Sequence, residues 1–557
     1  SRDITRPLYS PVFTAHPVFA LKPEVSAAMC HHAVAKAGVV PHDAFAPRQS
    51  VTLDDEHGEA MAALKHARAA INEINADILR QLRSADPDGW RKTLPAMINV
   101  STWVGYDLDG RSDISWTDSF RLRLREKYMA LRGYERAVRD SKIDMLSPVA
   151  DRLAVGCATT SQHLKAFEAV ESGKAEFDTV MNALTEDPDR LVSSHALAKE
   201  IHQIAQDIPD EEDALTALVI SADISTHGFG MGEVHLRINA AQIRNAMRPV
   251  DGRTISVSDG VSSPRLLIER LALRIRKESA WDISFASLDG ETATARRQLM
   301  LATQFLKHID SDQPVRLLIA ECEKPLTIMS ALYLAHKFGI TGMIDISPLF
   351  ETSYGLEHGE KIVDQLLQQP VFIDYLRQRG RLSIQTGFSD AGRFVGQVAA
   401  NMAIERLQLK ILRSLKAKVG TSIDLLIFNT HGESLGRGGA QARIAQRQAW
   451  LMTPYVRQQA AELGISLFHQ SSFQGGDGYR LFGSEELAKA TMRGLFVAEI
   501  EPPQGECATD AFYQQTDFSL DLFLALKTWH EQLLNDPNYS DPIDLFGSNL
   551  LPTTGSR

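Results

Sequence analysis

Glu351 and Asp390 are the two carboxylates whose settings point to chemistry. Each stands just past a short apolar run: 343–346 (MIDI) before Glu351 and 382–386 (LSIQT) before Asp390. Hard cations such as Mg²⁺ take oxygen ligands, and one or two carboxylates commonly share the sphere with water and substrate. The pair is therefore read as a candidate metal site. Either residue alone is equally read as a helix cap, since acidic side chains favour helix N-termini. A third run, 423–429 (IDLLIFN), opens into His431-Gly432-Glu433-Ser434-Leu435-Gly436-Arg437-Gly438-Gly439. A glycine-rich loop after a strand lets backbone N–H groups approach an anion, and Arg437 offers a two-pronged donor. The loop is neither GxGxxG nor a Walker A motif, and an ordinary βα turn is the alternative reading. A fourth run, 465–468 (ISLF), empties into a stretch that carries His469, Gln474 and Asp477. His16 closes FTAHP at 13–17, where a packed or surface histidine is the competing interpretation. Segment 101–110 (STWVGYDLDG) combines aromatics with Asp107 and Asp109 but lacks EF-hand spacing. Cys30, His31 and His32 read as a chance cluster on a helical pattern. Ser389 and Ser434 do not fit G-x-S-x-G, which sets a serine hydrolase aside.

These residues need elements to hold them. Apolar residues recur at helical spacing over 59–83, 120–138, 191–208 and 214–222, so the first 220 residues read as mainly helical. After about residue 230 the pattern changes. Short apolar runs at 234–238, 316–320, 343–346, 382–386, 423–429 and 465–468 are separated by amphipathic stretches. Helices are predicted at 266–276, 291–309, 326–338, 359–377, 392–417 and 442–463. Strands alternating with helices indicate βα units and a parallel sheet or barrel. The expected class is α/β, predominantly α-helical, with a TIM-like (β/α) barrel surrounded by many additional helices. The expected organisation is a mainly helical part over 1–230, contributing His16 and the 101–110 loop, and a barrel-like catalytic part over 231–557, in one continuous unit. In such barrels the working residues sit at the C-terminal ends of the strands, and that is where the polar residues above fall.

Composition narrows the function classes. The 557 residues are 44 % hydrophobic and 23 % charged, ordinary for a globular chain. A net charge of −11 argues against a dedicated nucleic-acid binder, which usually carries a basic face. Four widely spaced cysteines, Cys30, Cys157, Cys322 and Cys507, form no CxxC pair and read as reduced thiols. No apolar run approaches a membrane span and no signal-peptide pattern opens the chain. A cytoplasmic protein with no membrane and no nucleic-acid partner is expected.

In chain order these segments resemble phosphoenolpyruvate carboxylases. FTAHP at 13–17 looks like the family's TAHPTE, with Val18-Phe19 in place of Thr-Glu. STWVGYDLDG at 101–110 is similar to SxWxGGDRDGNP, with Leu108 in place of the arginine. HLRINAAQIR at 235–244 resembles LxRLDVRQES, with Arg237 on the first arginine. PLFET at 348–352 matches the family's metal-glutamate motif unchanged. GFSDAGRFVG at 387–396 looks like GYSDSAKDAG, keeping the aspartate as Asp390 and setting Arg393 on the catalytic lysine's position. HGESLGRGG at 431–439 is similar to HGRGGSVGRGG, two residues shorter, with Glu433 near the lost arginine. FQGGDGYRLFG at 473–483 resembles VTEQGE more loosely and puts Gln474 there. LPTTGSR at 551–557 is similar to an internal GSRP segment, with Arg557 on its arginine and a C-terminal portion of the family expected beyond it.

The resemblance implies a carbon–carbon lyase that uses Mg²⁺ or Mn²⁺ to join bicarbonate to phosphoenolpyruvate, giving oxaloacetate and phosphate. It implies Glu351 and Asp390 as metal ligands. His16, Arg393 and His431 would be catalytic, and Arg237, Arg437, Arg557 and Gln474 would contact a small anionic substrate. It also implies a homo-oligomer, dimer or tetramer. Arginine for lysine changes both the size and the proton affinity of the group. Leu108, Arg393 and Glu433 therefore raise two alternatives: a metal-dependent lyase acting on another enolisable acid, or a non-catalytic binding homologue.

Overall fold

A computed structural model describes residues 3–15, 22–35, 51–170, 175–248, 263–430, 443–502 and 510–550. Eight parallel strands close a barrel in chain order: β1 (Tyr9–Thr14), β2 (Ser101–Thr102), β3 (Glu233–Asn239), β4 (Val315–Ala320), β5 (Ile344–Phe350), β6 (Arg381–Thr386), β7 (Asp424–Asn429) and β8 (Leu467–Gln474). Val12 pairs with Ser101 on one side, and Thr14 with Gln474 on the other, which closes the ring. The TIM-like class expected from the sequence is what the chain adopts. The barrel takes its first two strands from within 1–230 and the other six from 231–557, so residue 230 lies between two neighbouring barrel strands.

Period-2 alternation sorts each strand's side chains. On β3, Val234, Leu236 and Ile238 join the apolar core shared with the helices. Glu233, His235 and Arg237 take the other face. That face is the barrel interior, because Arg316 on β4 reaches Gln470 on the opposite strand β8. Barrel interiors are usually filled by branched apolar side chains. Here the lower layer is ionic. Arg316 Nη2 donates to Glu233 Oε1 at 3.2 Å. Asp345 accepts from Arg381 Nη2 at 2.5 Å and from Arg379 Nε at 2.8 Å. Burial pushes the Glu233 carboxyl up, but Arg316, His235 and Arg381 outweigh it and hold it at about 2. Burial likewise opposes ionisation of Asp345, and Arg381 and Arg379 overcome it and bring the carboxyl well below the usual range. Burial keeps His235 neutral, at about 4.

Outside the barrel, long helices supply most of the mass. Leu53–Ala85 starts at Thr52 and Trp116–Ser141 at Ser115, each through a capping box with an aspartate three residues on. Three expected helices are divided. The stretch 359–377 becomes Ser353–Leu366 and Pro370–Arg379, and 442–463 becomes Ile444–Leu451 and Pro454–Leu463. Proline lacks the N–H a helix interior needs and is accepted in the first turn, so Pro370 and Pro454 each start a new helix. The stretch 392–417 divides at Gly396, whose φ of 85° favours glycine, into Phe388–Val395 and Gln397–Val419. Two strands run longer than their apolar runs: β5 continues through Pro348 to Phe350, and β8 through His469 to Gln474. Their polar interior positions hide them from a hydrophobicity reading.

Candidate functional site

The C-terminal ends of β1, β2, β3, β4, β5, β6, β7 and β8 open at one face, and Glu351, Arg237, Asp107, Asp109 and Gln474 lie on that side. Glu351 follows β5 directly and is buried. Its Oε1 accepts the Glu321 backbone N–H at 3.2 Å, from the turn after β4. On its other side the turn after β6 comes close. A Cβ placed on Gly387 would meet the Glu351 Cβ at 2.7 Å, so only glycine lets the two turns adjoin. Asp390 and Arg393 lie in the helix Phe388–Val395, which begins on that turn. Their side chains are outside the described atoms.

Arg237, two residues before the end of β3, occupies the same end. Its guanidinium lies 5.4 Å from the Trp103 ring centroid. Nη1 donates to Asp107 Oδ2 at 3.1 Å, and Nη2 pairs with Asp109 Oδ2 at 3.0 Å. Burial would weaken its hold on the proton, but Asp107, Asp109 and Glu351 outweigh burial and strengthen it. The 101–110 loop is thus tied to β3. Leu108 N donates to Arg237 O at 2.9 Å, and Asn239 Nδ2 donates to Asp109 Oδ1 at 3.1 Å. The two aspartates, which lack EF-hand spacing, hold an arginine. Leu108 turns away from them into the apolar core. Gly105, at φ 90°, gives the loop its bend, and a Cβ there would strike Leu122.

Gln474 ends β8, buried, in register with Thr14 of β1. Gly475 N and the Tyr479 hydroxyl both donate to Thr14 O, at 3.1 and 2.8 Å, which fixes the end of β1 two residues before His16. His16, His431, Arg437 and Arg557 lie outside the described residues. Cys30 is buried and hydrogen-bonds toward Arg480 O at 3.7 Å, while His31 and His32 point to solvent.

The structure therefore brings together Glu351, Arg237, the 101–110 aspartates, Gln474 and the helix bearing Asp390 and Arg393 at one end of the barrel. Oxygen donors of this kind suit a hard divalent cation. Among the described residues no group of three or more His, Cys, Asp or Glu side chains converges to hold a metal. A cation there would be held by Glu351 with Asp390 and non-protein oxygens. Sequence reasoning left Asp107, Asp109, Glu321 and Glu323 without a role. The aspartate pair was visible beside Trp103, but the pairing with Arg237 joins positions 130 residues apart.

Residues 291–451 match the sequence model of the phosphoenolpyruvate carboxylase family. A phosphoenolpyruvate carboxylase from Marinomonas sp. is 31 % identical over 127 residues, covering 23 % of this chain and 14 % of that protein. One from Corynebacterium efficiens is 26 % identical over 238 residues, 40 % of this chain and 24 % of that protein. One from Corynebacterium glutamicum is 22 % identical over 329 residues, 56 % of this chain and 33 % of that protein. The matched stretches thus span a third or less of these curated relatives. No described helix is long and apolar enough to cross a membrane.

Proposed function

With residues 291–451 matching its model, this chain belongs to the phosphoenolpyruvate carboxylase family, and we propose that it performs metal-dependent carboxylation of phosphoenolpyruvate with bicarbonate in the cytoplasm. The observation that carries this reading is Glu351, a buried carboxylate inside an unchanged PLFET segment, beside Arg237 at the catalytic end of a TIM-like barrel.

In this reading a bicarbonate oxygen attacks the phosphorus of phosphoenolpyruvate, and the bond from phosphorus to the enol oxygen breaks. Carboxyphosphate and the enolate of pyruvate result. His16 takes the carboxyphosphate proton, which releases CO₂ and phosphate, and the enolate carbon then attacks CO₂ to give oxaloacetate. Glu351 and Asp390 would hold Mg²⁺ or Mn²⁺, which would supply positive charge to the enolate oxygen. Arg237 neutralises a substrate anion, loosening its contacts to Asp107 and Asp109 as it does so. Arg393, His431, Arg437, Arg557 and Gln474 surround the transferred group. The working form is a homo-oligomer.

A second reading draws on Leu108 and on the pairing of Arg237. A core leucine stands where the family carries an arginine, and two aspartates already engage the remaining cation. A metal-dependent lyase acting on an enolisable acid without a phosphoryl group fits those two facts. Oxaloacetate formation from phosphoenolpyruvate, bicarbonate and Mg²⁺, followed by NADH oxidation through malate dehydrogenase, separates the two. Turnover that disappears in Glu351→Ala and Asp390→Ala supports carboxylation. Turnover no higher than in Asp390→Ala overturns it, and Mn²⁺ binding retained without turnover then favours the second reading.

A further inference from the structure

Between the barrel wall and its helices, a buried row of polar side chains runs from the helix Glu485–Ile500 to the catalytic ends of β6 and β7. His469 of β8 stands in the middle of it. Its Nδ1 lies 2.8 Å from Glu499 Oε1, and its Nε2 lies 3.1 Å from Asn429 Nδ2. Asn429, the last residue of β7, accepts at Oδ1 from the hydroxyl of Thr386, the last residue of β6. The same oxygen accepts from Gln408 Nε2 at 3.2 Å. Two backbone ties join the strand ends at this point. Thr430 N donates to Thr386 O at 3.4 Å, and Phe388 N donates to Thr430 Oγ1 at 3.1 Å. Phe388 opens the helix that carries Asp390 and Arg393.

The direction of every bond in the row is fixed by chemistry. Arg457 donates to both oxygens of Glu499, at 2.7 and 2.9 Å. Burial pushes the Glu499 carboxyl up, but Arg457 and His469 outweigh it and hold it at about 2. An ionised carboxylate only accepts, so the hydrogen of His469 is on Nδ1. The groups facing the ring are Glu499, Arg457 from the helix Pro454–Leu463, and Tyr9 of β1, whose ring lies edge-on at 5.8 Å. Burial, helped by Arg457, keeps the imidazole below its ordinary range against the pull of Glu499. Neutral His469 therefore offers a bare Nε2, which calls for a donor. Asn429 meets it with Nδ2, and that leaves Oδ1 turned toward Thr386 and Gln408.

We propose that Glu499, His469 and Asn429 are positioning residues for the catalytic end of the barrel: Glu499 selects the histidine tautomer, the tautomer sets the Asn429 amide, and the amide holds the end of β6 against the end of β7. A proton on Nε2 would face the Asn429 amine, turn the amide over and take Oδ1 away from Thr386. The bearing of this row on turnover rests on the carboxylase reading above, whereas its wiring and its hold on the strand ends do not.

The test uses the full chain without substrate. ¹⁵N-histidine NMR reports which nitrogen of His469 carries hydrogen, with its signals identified by their loss in His469→Gln. Hydrogen exchange followed by mass spectrometry reports on 386–395, with β4 as the control. In the wild type at pH 7, Nδ1 is protonated and Nε2 is bare. Asn429→Leu speeds exchange over 386–395 by roughly tenfold, the scale of a buried hydrogen bond left unmade, and leaves β4 unchanged. Asn429→Asp restores the tie by different chemistry. Its carboxylate still accepts from Thr386 and Gln408 but has nothing to donate to Nε2. His469 then takes a second proton, and two carboxylates balance Arg457 and the imidazolium. Exchange in this variant returns to within about threefold of wild type, with His469 doubly protonated at pH 7. An Nε2–H tautomer or an imidazolium in the wild type at pH 7 overturns the proposal. So does wild-type exchange over 386–395 in Asn429→Leu, or a rise there that β4 shares equally. If Asn429→Leu does not fold, Thr386→Val keeps the shape without the hydroxyl, and unchanged exchange in that variant overturns it. A neutral His469 in Asn429→Asp overturns it as well. Neither readout involves turnover, so a failed carboxylase assay leaves each of these outcomes decisive.

Discussion

Glu233→Gln removes the anion from the ionic layer inside the barrel. Its folded carboxyl sits at about 2 against an ordinary 4.5, because Arg316, His235 and Arg381 overcome the opposing effect of burial. A depressed carboxyl contributes stability above its unfolded value and loses it as pH falls toward the folded value. At pH 7 the contribution is therefore fully present and worth roughly 3 kcal/mol. At pH 3.5 the unfolded carboxyl is mostly protonated and the contribution has fallen to about 2 kcal/mol. Independent reasoning gives a similar size. Removing one partner of a buried ion pair leaves the other charge uncompensated and costs about 3–5 kcal/mol, and Arg316 is fully buried. The measurement is urea denaturation followed by far-UV circular dichroism on wild type and Glu233→Gln at pH 7, 5 and 3.5. The variant is expected to unfold first at pH 7, with the gap narrowing as pH falls. A second arm tests the pairing: Glu233→Gln with Arg316→Met should lose less than the two single losses combined. A gap under about 1 kcal/mol at pH 7, or one that widens toward acid, would refute the account of Glu233 as a stabilising charge.

Other consequences can be measured in the same protein. Gly387→Ala sets a methyl 2.7 Å from the Glu351 Cβ, so it should lower stability by about 1–3 kcal/mol and weaken Mn²⁺ binding in a titration. Leu108→Arg restores the family's residue type but drives a cation into the apolar core. It should destabilise the fold by about 3 kcal/mol in denaturation and leave phosphoenolpyruvate turnover no higher. Asp109→Asn releases one arm of Arg237, and inorganic phosphate should bind about fivefold tighter by calorimetry, the scale of one partly exposed ion pair. Glu499 is also held at about 2, where Arg457 and His469 outweigh burial. Glu499→Gln should therefore flatten the loss of stability between pH 5 and pH 3 in the same urea experiment.

Much of this protein was legible in the chain alone. Six apolar runs at βα spacing marked six barrel strands, and period-2 or 3.6 repetition survives any tertiary context because it records which face is buried. PLFET and the GFSDAG segment marked Glu351 and Asp390 because their residue types and chain order are properties of sequence. β1 and β2 were not visible: one carries Pro11 and polar interior residues, and the other is only Ser101–Thr102, so neither bears a hydrophobic period. The fate of Leu108, Asp107 and Asp109 was also hidden. Whether those aspartates face a cation or an arginine depends on β3 lying alongside their loop. Glu321 shows the limit most sharply, since a φ of 54° leaves no mark in residue type. The sequence by itself determined the fold class and singled out the two carboxylates as candidates, because periodicity and motif order are local. Only the tertiary structure decided what each charge is paired with, because partners more than a hundred residues apart meet only when the barrel closes.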